Sequence, residues 1–454
     1  MWLISERRVP SRSESAGPFM LCSRTTRVVL RPMTEGETTT PGDTGWDISN
    51  ADHWGGIDAA VRESGLDSPV LALDLAALDH NASDLTRRAG GVPIRVATKS
   101  LRVRSVVDDV LGRPGFGGVL AYDLAEAHWL ATVSEVSDVL VGYPSTRRAA
   151  IAEFARDETA AQRVTLLVDS IAHLDLVDAT VSPVCRPTIR VAIDVDASYR
   201  LAGGRIHLGV RRSPIHDRHE AVELARAIVG RPGFRLVGVM SYEAQIAGVA
   251  DAVPGRRLTN LGVGVMQRRS MAELRRRRGR ILAALGEVAD LQFVNGGGTG
   301  SLEQTATDTS ITDIAAGSGL FGGHLFDSYS RFRPAPALGF GLDVVRRPSA
   351  GIVTCAGGGW IASGPPGADR LPLPVWPEGL EYVGTEAAGE VQTPLRGAAA
   401  DALAIGDRVW FRHTKSGEVC ERVTSVALIE RDLSGRARVC DVVPTYRGEG
   451  KCFG

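Results

Sequence analysis

Residues 92–100 read VPIRVATKS, an apolar run without turn formers that ends on Lys99. Runs of the same kind recur along the chain: PVLALDL (69–75), FGGVLAY (116–122), DVLVGYP (138–144), RVTLLVDS (163–170), TIRVAIDVD (188–196), FRLVGVMSY (234–242) and LQFVNGGGTG (291–300). Each is continuous rather than alternating, the pattern of a strand covered on both faces in a parallel sheet. Segments with helical periodicity separate most of them, among them LAALDHNASDLTRRAGG, SLRVRSVVDDVLG and HEAVELARAIVG. Strands alternating with helices at a spacing of about 25 residues predict an α/β chain built as a (β/α)8 TIM-type barrel rather than an open doubly wound sheet.

In such a barrel the chemistry gathers at the C-terminal ends of the strands, where the βα loops begin. Lys99, Tyr122, Tyr143, Asp169, Asp194, Tyr242 and the NGGGTG loop are therefore expected at one mouth. From about residue 345 the pattern changes. AGIVTCAGGGWIAS, EYVGTEAAGEVQTP, GDRVWFRHTKS and RVTSVALIERD are short, bounded by glycine and rich in Val, Thr and aromatics. They predict a C-terminal β domain over 345–454, after a barrel over 55–340. Residues 1–45, rich in Ser, Thr, Arg and Gly, read as a disordered extension or a reading frame started early, with Met20 or Met33 as the start. A transit peptide is the alternative, opposed by Glu6, Glu14, Glu35 and Glu37.

The 454 residues are 44% hydrophobic and carry a formal net charge of -1, which suits a large core and argues against a nucleic-acid or polyanion binder. A small-molecule substrate is the better reading. No run of 18 apolar residues exists, so a membrane span is not expected. The six cysteines have no CxxC pair and no regular spacing, which suits a reducing cytoplasm. In MQRRSMAELRRRRGRILAALGEVADL the apolar positions recur at helical spacing, so the arginines read as a solvated helix face, the alternative being an anion-binding patch.

A lysine at the end of a buried strand loses solvation and becomes usable as an amine nucleophile toward an aldehyde. The plain alternative is a rim lysine whose head reaches water. The glycine loops bear on the choice. VNGGGTGS (294–301) offers unobstructed backbone N–H groups with the hydroxyls of Thr299 and Ser301, and AAGSGLFGG (315–323) offers a second such place. These are the requirements of a phosphate cradle. A lysine imine with a phosphorylated aldehyde is pyridoxal-phosphate chemistry.

Taken in order, PVLALDLAALDHNASDL, VPIRVATKS, IDVDASYRLAGGRIHLGVRRSP, GVMSYEAQIAG, VNGGGTGS, AAGSGLFGGHLFDSY and GDRVWFRH resemble the fold-type III pyridoxal-phosphate enzymes. That group contains alanine racemase, D-threonine aldolase and eukaryotic-type D-serine dehydratase, and the likeness is greatest to the bacterial amino acid deaminase/aldolase set. It covers residues about 65 to 450. The resemblance implies that Lys99 carries pyridoxal 5'-phosphate, that Gly298, Thr299, Gly300, Gly317 and Ser318 hold its phosphate, and that Tyr242 lies beside it. It also implies a ring-hydroxyl contact from Arg200, His207 or Arg211, and a homodimer.

D-threonine aldolase and D-serine dehydratase place a divalent metal in the C-terminal β domain, held by a His and a nearby Asp or Cys. His413 stands at the expected place, but the usual second ligand two residues later is Lys415. Cys420 is the substitute, giving an N/S pair suited to zinc, whereas carboxylates alone would suit manganese or magnesium. Without metal, His413 is a direct acid or base. The expectation is a lyase acting on small β-hydroxy D-amino acids, by retro-aldol cleavage or dehydration. The alternatives are an amino-acid racemase, whose second base would be a tyrosine from the C-terminal domain of a dimer partner, Tyr382 or Tyr446, and a non-catalytic pyridoxal-phosphate binding protein.

Overall fold

The first strand, β1 (Val70–Asp74), is buried along its whole length, as its apolar run requires. The computed structural model, which describes residues 51–454 apart from Ser416, begins its barrel only after that strand. β2 (Ile94–Ala97), β3 (Phe116–Ala121), β4 (Val139–Val141), β5 (Val164–Val168) and β6 (Ile189–Asp194) run parallel. A two-stranded ribbon, β7 (Tyr199–Leu201) with β8 (Ile206–Leu208), then interrupts the series. β9 (Phe234–Ser241), β10 (Phe293–Gly296) and β11 (Asp313–Ala316) complete it, and β11 pairs with β2 to close eight parallel strands.

The second unit is a mixed sheet. β12 (Leu338–Ser349), β13 (Ile352–Ala356), β14 (Leu373–Trp376), β15 (Glu381–Tyr382), β16 (Gln392–Arg396), β17 (Arg408–Arg412), β18 (Ser425–Arg431) and β19 (Ala437–Pro444) form it together with β1. Its main path runs β15-β16-β13-β12-β1-β18-β19.

Two strand assignments are thereby corrected. The run at 69–75 is not the first barrel strand, since β1 pairs antiparallel with β12 and parallel with β18. The eighth barrel strand is the four-residue β11, which sits directly ahead of the second glycine loop. A run apolar on both faces satisfies a barrel strand and an interior sheet strand equally, so its partners, not its composition, decide where it goes. The reading of residues 1–45 lies outside the described residues.

The helix Ala51–Glu63 also packs on this sheet, burying Trp54, Ile57 and Val61 against Trp410, Ile429 and Ala437. Each such side chain contributes about 1.5–3 kcal/mol of transfer free energy. The Trp410 indole is satisfied by Asp58 at 2.9 Å. Asp74 links sheet to barrel: it caps the helix Leu75–Ala89 by accepting from the N–H groups of Ala76 and Ala77, and it pairs with Arg431 at 2.8 Å.

The arginine run requires a further correction. In the helix Arg257–Gly286, Arg277 and Arg278 are 4% and 1% exposed. Arg277 donates to the carbonyls of Asp196, Ser198 and His216, and Arg278 to that of Ser241 and to Asp308. The carbonyls of Asp196, Ser198 and Ser241 follow or end β6 and β9, where the ladder stops and a buried acceptor needs a donor, and that of His216 precedes the helix Arg218–Val229. No helix among the described residues is long and apolar enough to cross a membrane.

Candidate active site

Lys99 leaves β2 in the single 3-10 turn Thr98–Ser100, and its side chain is exposed at the C-terminal mouth. Its ammonium donates to the Tyr143 hydroxyl at 2.9 Å. Tyr143 follows β4, and the Arg212 guanidinium lies 5.6 Å from its ring centre and 5.8 Å from that of Tyr242. Burial raises the Tyr143 phenol, but the charges of Lys99, Arg212 and Lys415 outweigh it, and the net displacement is below the ordinary tyrosine value. Tyr242, leaving β9, is displaced upward by burial. Positions 99, 143, 212, 242 and 415 are thus joined at one place.

Asp194, at the end of β6, is held differently. Burial and the nearby Asp169 carboxylate push it up to about 7 against the pull of Arg212. Asp196, two residues on, is lowered: burial opposes this, and hydrogen bonds from His216, Ser198 and Arg200 override it.

The expected ring-hydroxyl contacts lie on the β7–β8 excursion. Arg200 is tied to Asp196 at 2.6 Å and His207 to the Val210 carbonyl at 3.0 Å, while Arg211 is exposed. Arg212, which sequence reasoning passed over, is the arginine of this stretch that meets the mouth aromatics. Four arginines in fourteen residues, 199–212 being YRLAGGRIHLGVRR, gave no signal to separate them.

The glycine loops leave β10 and β11, the seventh and eighth strands of the barrel in chain order. Thr299 joins them: its hydroxyl accepts from the Gly319 N–H at 3.1 Å and lies 3.0 Å from Ser318 Oγ. The glycines allow the close approach. A Cβ on Gly317 would lie 2.5 Å from the Ala97 carbonyl, and one on Gly298 3.2 Å from the Tyr242 ring. A Cβ on Gly300 would overlap the Ala247 carbonyl. Among the described residues the backbone N–H groups of Thr299, Gly300 and Ser318 have no acceptor. Unpaired donors on two joined loops, across a mouth from a lysine amine, fit pyridoxal phosphate.

The β domain closes over Lys99. Gly417 holds φ +85°, and a Cβ there would overlap the Lys99 carbonyl oxygen. Arg102 donates to the same carbonyl at 3.3 Å and pairs with Glu421 at 2.8 Å. Beside this contact lies an open cavity of 330 Å³ whose lining includes Arg102, Trp360, Ser363, His413, Lys415 and Glu418. His413 is 3% exposed. Its Nδ1–H donates to the Leu338 carbonyl at 3.0 Å, and its Nε2 is buried without a partner. Burial keeps the ring neutral, pushing it down to about 3.

The metal expectation does not fit these residues. No group of three or more His, Cys, Asp or Glu among the described residues is arranged to hold an ion. Cys420 is 1% exposed and does not line the cavity that His413 borders. Glu421 is bound to Arg102, and Glu418 to the N–H and hydroxyl of Ser363. His413 alone has a free donor atom.

A closed barrel of eight parallel strands with a mixed sheet is the fold seen in solved structures of D-threonine aldolase and alanine racemase. Among solved structures the chain is similar to D-threonine aldolase from Filomicrobium marinum, at 20% identity over 84% of this chain and 95% of that one, with a TM-score of 0.68. It is similar also to D-threo-3-hydroxyaspartate dehydratase from Delftia sp. HT23, at 17% identity over 84% and 97% with a TM-score of 0.59. Alanine racemase from Bacillus anthracis with bound L-Ala-P follows at 16% identity over 85% and 99%, with a TM-score of 0.56. At these identities the likeness is one of fold. No family model and no curated protein matches the chain.

Proposed function

We propose that this protein is a pyridoxal-phosphate-dependent lyase acting on small β-hydroxy D-amino acids, by retro-aldol cleavage to glycine and an aldehyde or by dehydration to a keto acid and ammonia. The observation that carries the reading is His413 Nε2, a buried acceptor without a partner in a residue that lines the cavity beside the Lys99 turn.

Lys99 would hold the cofactor through its amine, and Gly298, Thr299, Gly300, Gly317 and Ser318 would hold its phosphate. The cofactor when bound supplies an electron sink for the pair left on Cα. Tyr143 accepts a hydrogen bond from the Lys99 amine and, with its lowered phenol, can pass a proton to and from it. Arg212 and Tyr242 wall the same side of the mouth. At His413 the Leu338 carbonyl fixes the proton on Nδ1, so Nε2 is the lone pair that orients a substrate β-hydroxyl. For the aldol step, Nε2 takes the hydroxyl proton as the O–H pair becomes the second C–O bond of the aldehyde. The Cα–Cβ pair stays on Cα, where a proton replaces the departing carbon.

The surroundings of the two candidate tyrosines support the lyase reading over the racemase one. Tyr446 is 1% exposed with its hydroxyl on Glu126 at 2.9 Å, and the Tyr382 hydroxyl is held by the Pro372 carbonyl at 2.7 Å. The five described cysteines, Cys185, Cys355, Cys420, Cys440 and Cys452, are free thiols, which supports a reducing cytoplasm. A homodimer is the assembly we propose, from the resemblance alone.

The test is purification with pyridoxal phosphate followed by D-threonine and D-serine. Glycine or pyruvate supports the lyase. The L-enantiomer would make it a racemase, and a cofactor absorption band without product a binding protein.

A further inference from the structure

The residue two positions beyond His413 explains why no ion fits there. Lys415 lines the same cavity, with its Nζ 3.0 Å from Ser363 Oγ and 3.9 Å from Glu418 Oε1. Ser363 is itself fixed, since its N–H donates to Glu418 at 2.9 Å. The ammonium is therefore held in place by a hydroxyl and balanced by a carboxylate. Of its three donors two go to the hydroxyl and the carbonyl of Ser363, at 3.0 and 3.5 Å, and Glu418 at 3.9 Å lies beyond hydrogen-bond reach, which leaves one for a ligand. Two residues on, Gly417 packs against the Lys99 carbonyl, which brings this segment to the turn that carries the Lys99 amine. A divalent ion held by His413 would share the cavity with this positive charge, and the nearby carboxylates Glu418 and Glu421 are already engaged by Ser363 and Arg102.

We propose that the Lys415 ammonium meets the substrate's β-oxygen in place of a divalent cation, so that the lyase needs no metal. The inference rests on the function proposed above. As the β-O–H bond gives its pair to the new carbonyl, negative charge grows on that oxygen, and a preorganised ammonium stabilises it without reorganisation. His413 Nε2 takes the hydrogen side of the hydroxyl and Lys415 the oxygen side, so the two contacts do not compete. A substrate lacking the β-hydroxyl would leave the buried His413 Nε2 unpaired, which is how a buried polar group rejects an analogue.

The experiment uses the cofactor-loaded protein and two ligands that differ only in the β-hydroxyl, D-threonine and D-2-aminobutyrate, whose binding is read from the change in the cofactor's visible absorption. The expected wild-type preference is about tenfold or more for the hydroxylated ligand, as for a hydrogen bond to a charged group. Dialysis against Mn2+ or Zn2+ should leave well under one ion per chain by atomic emission, and a chelator should leave the preference unchanged. Lys415→Met should abolish the preference while keeping the absorption band, and Lys415→Arg should restore part of it, separating charge from folding. One ion per chain in wild type with a chelator-sensitive preference would overturn the proposal, as would an undiminished preference in Lys415→Met. Preference without glycine or 2-oxobutyrate from D-threonine would reject the lyase and keep the contact. Cleavage at wild-type rate by Lys415→Met would keep the lyase and reject the contact.

Discussion

Gly417 packs against Lys99 so closely that a Cβ at Gly417 would overlap the Lys99 carbonyl oxygen, and its φ of +85° is one that L side chains rarely adopt. The β domain thus presses backbone against the turn that carries the amine. Gly417→Ala incurs both strain and overlap with an atom that cannot rotate away, and should cost about 2 kcal/mol or more. Gly351→Ala, at φ +68° with nothing within 4 Å, should cost only about 1 kcal/mol. Urea midpoints of the two variants check this, and Gly417→Ala alone should weaken cofactor binding in a titration.

Tyr143 should ionise below the ordinary tyrosine value. Burial disfavours the phenolate, but Lys99, Arg212 and Lys415 together favour it more. Removing one cation therefore raises the value. Ultraviolet difference titration should show one early-ionising tyrosine in the wild type, none in Tyr143→Phe, and a transition moved toward higher pH in Lys99→Ala.

Glu126 should give the stability curve a negative slope with pH. It is fully buried beneath the site, accepting from the Tyr122 N–H at 2.8 Å and the Tyr446 hydroxyl at 2.9 Å. Burial pushes it up to about 7. The folded state then binds the proton more tightly than the unfolded one, whose carboxyl titrates near 4.5. Stability is full below about 4.5 and declines by about 3 kcal/mol as pH rises through 7. Glu126→Gln should flatten that decline in denaturant titrations run between pH 5 and 8, an outcome checked by comparing slopes, not absolute stabilities.

Arg278→Met should destabilise more than any exposed arginine of the same helix. It strands Asp308, which pairs with Arg278 at 2.7 Å, and leaves the Ser241 carbonyl without that donor. Removing one partner of a buried pair costs about 3–5 kcal/mol. Arg276→Met, in the same run, serves as the comparison in thermal melts.

The local pattern was sufficient for much of this molecule. Continuous apolar runs, helical segments between them and the change of texture near residue 345 are properties of neighbours along the chain, and they specify a parallel barrel with a β sheet. Lys99 at a strand end and the glycines at 298, 300 and 317 were legible for the same reason: a strand terminus and an unobstructed turn are written in a few adjacent residues.

The tertiary structure decided the rest. β1 joined the sheet because β12 and β18, more than 260 residues away, offered pairing, and β11 was too short to show a period of its own. Arg277 and Arg278 are buried because strand-end carbonyls face them, a demand the helix sequence does not contain. Arg212 and Lys415 reach Tyr143 only when distant segments meet over the mouth. Sequence alone marked Lys415 as a missing metal ligand. Its place in the cavity, held by Ser363 and beside an unpartnered His413 nitrogen, made it a cation in its own right, because electrostatic roles depend on distances that no run of residues encodes.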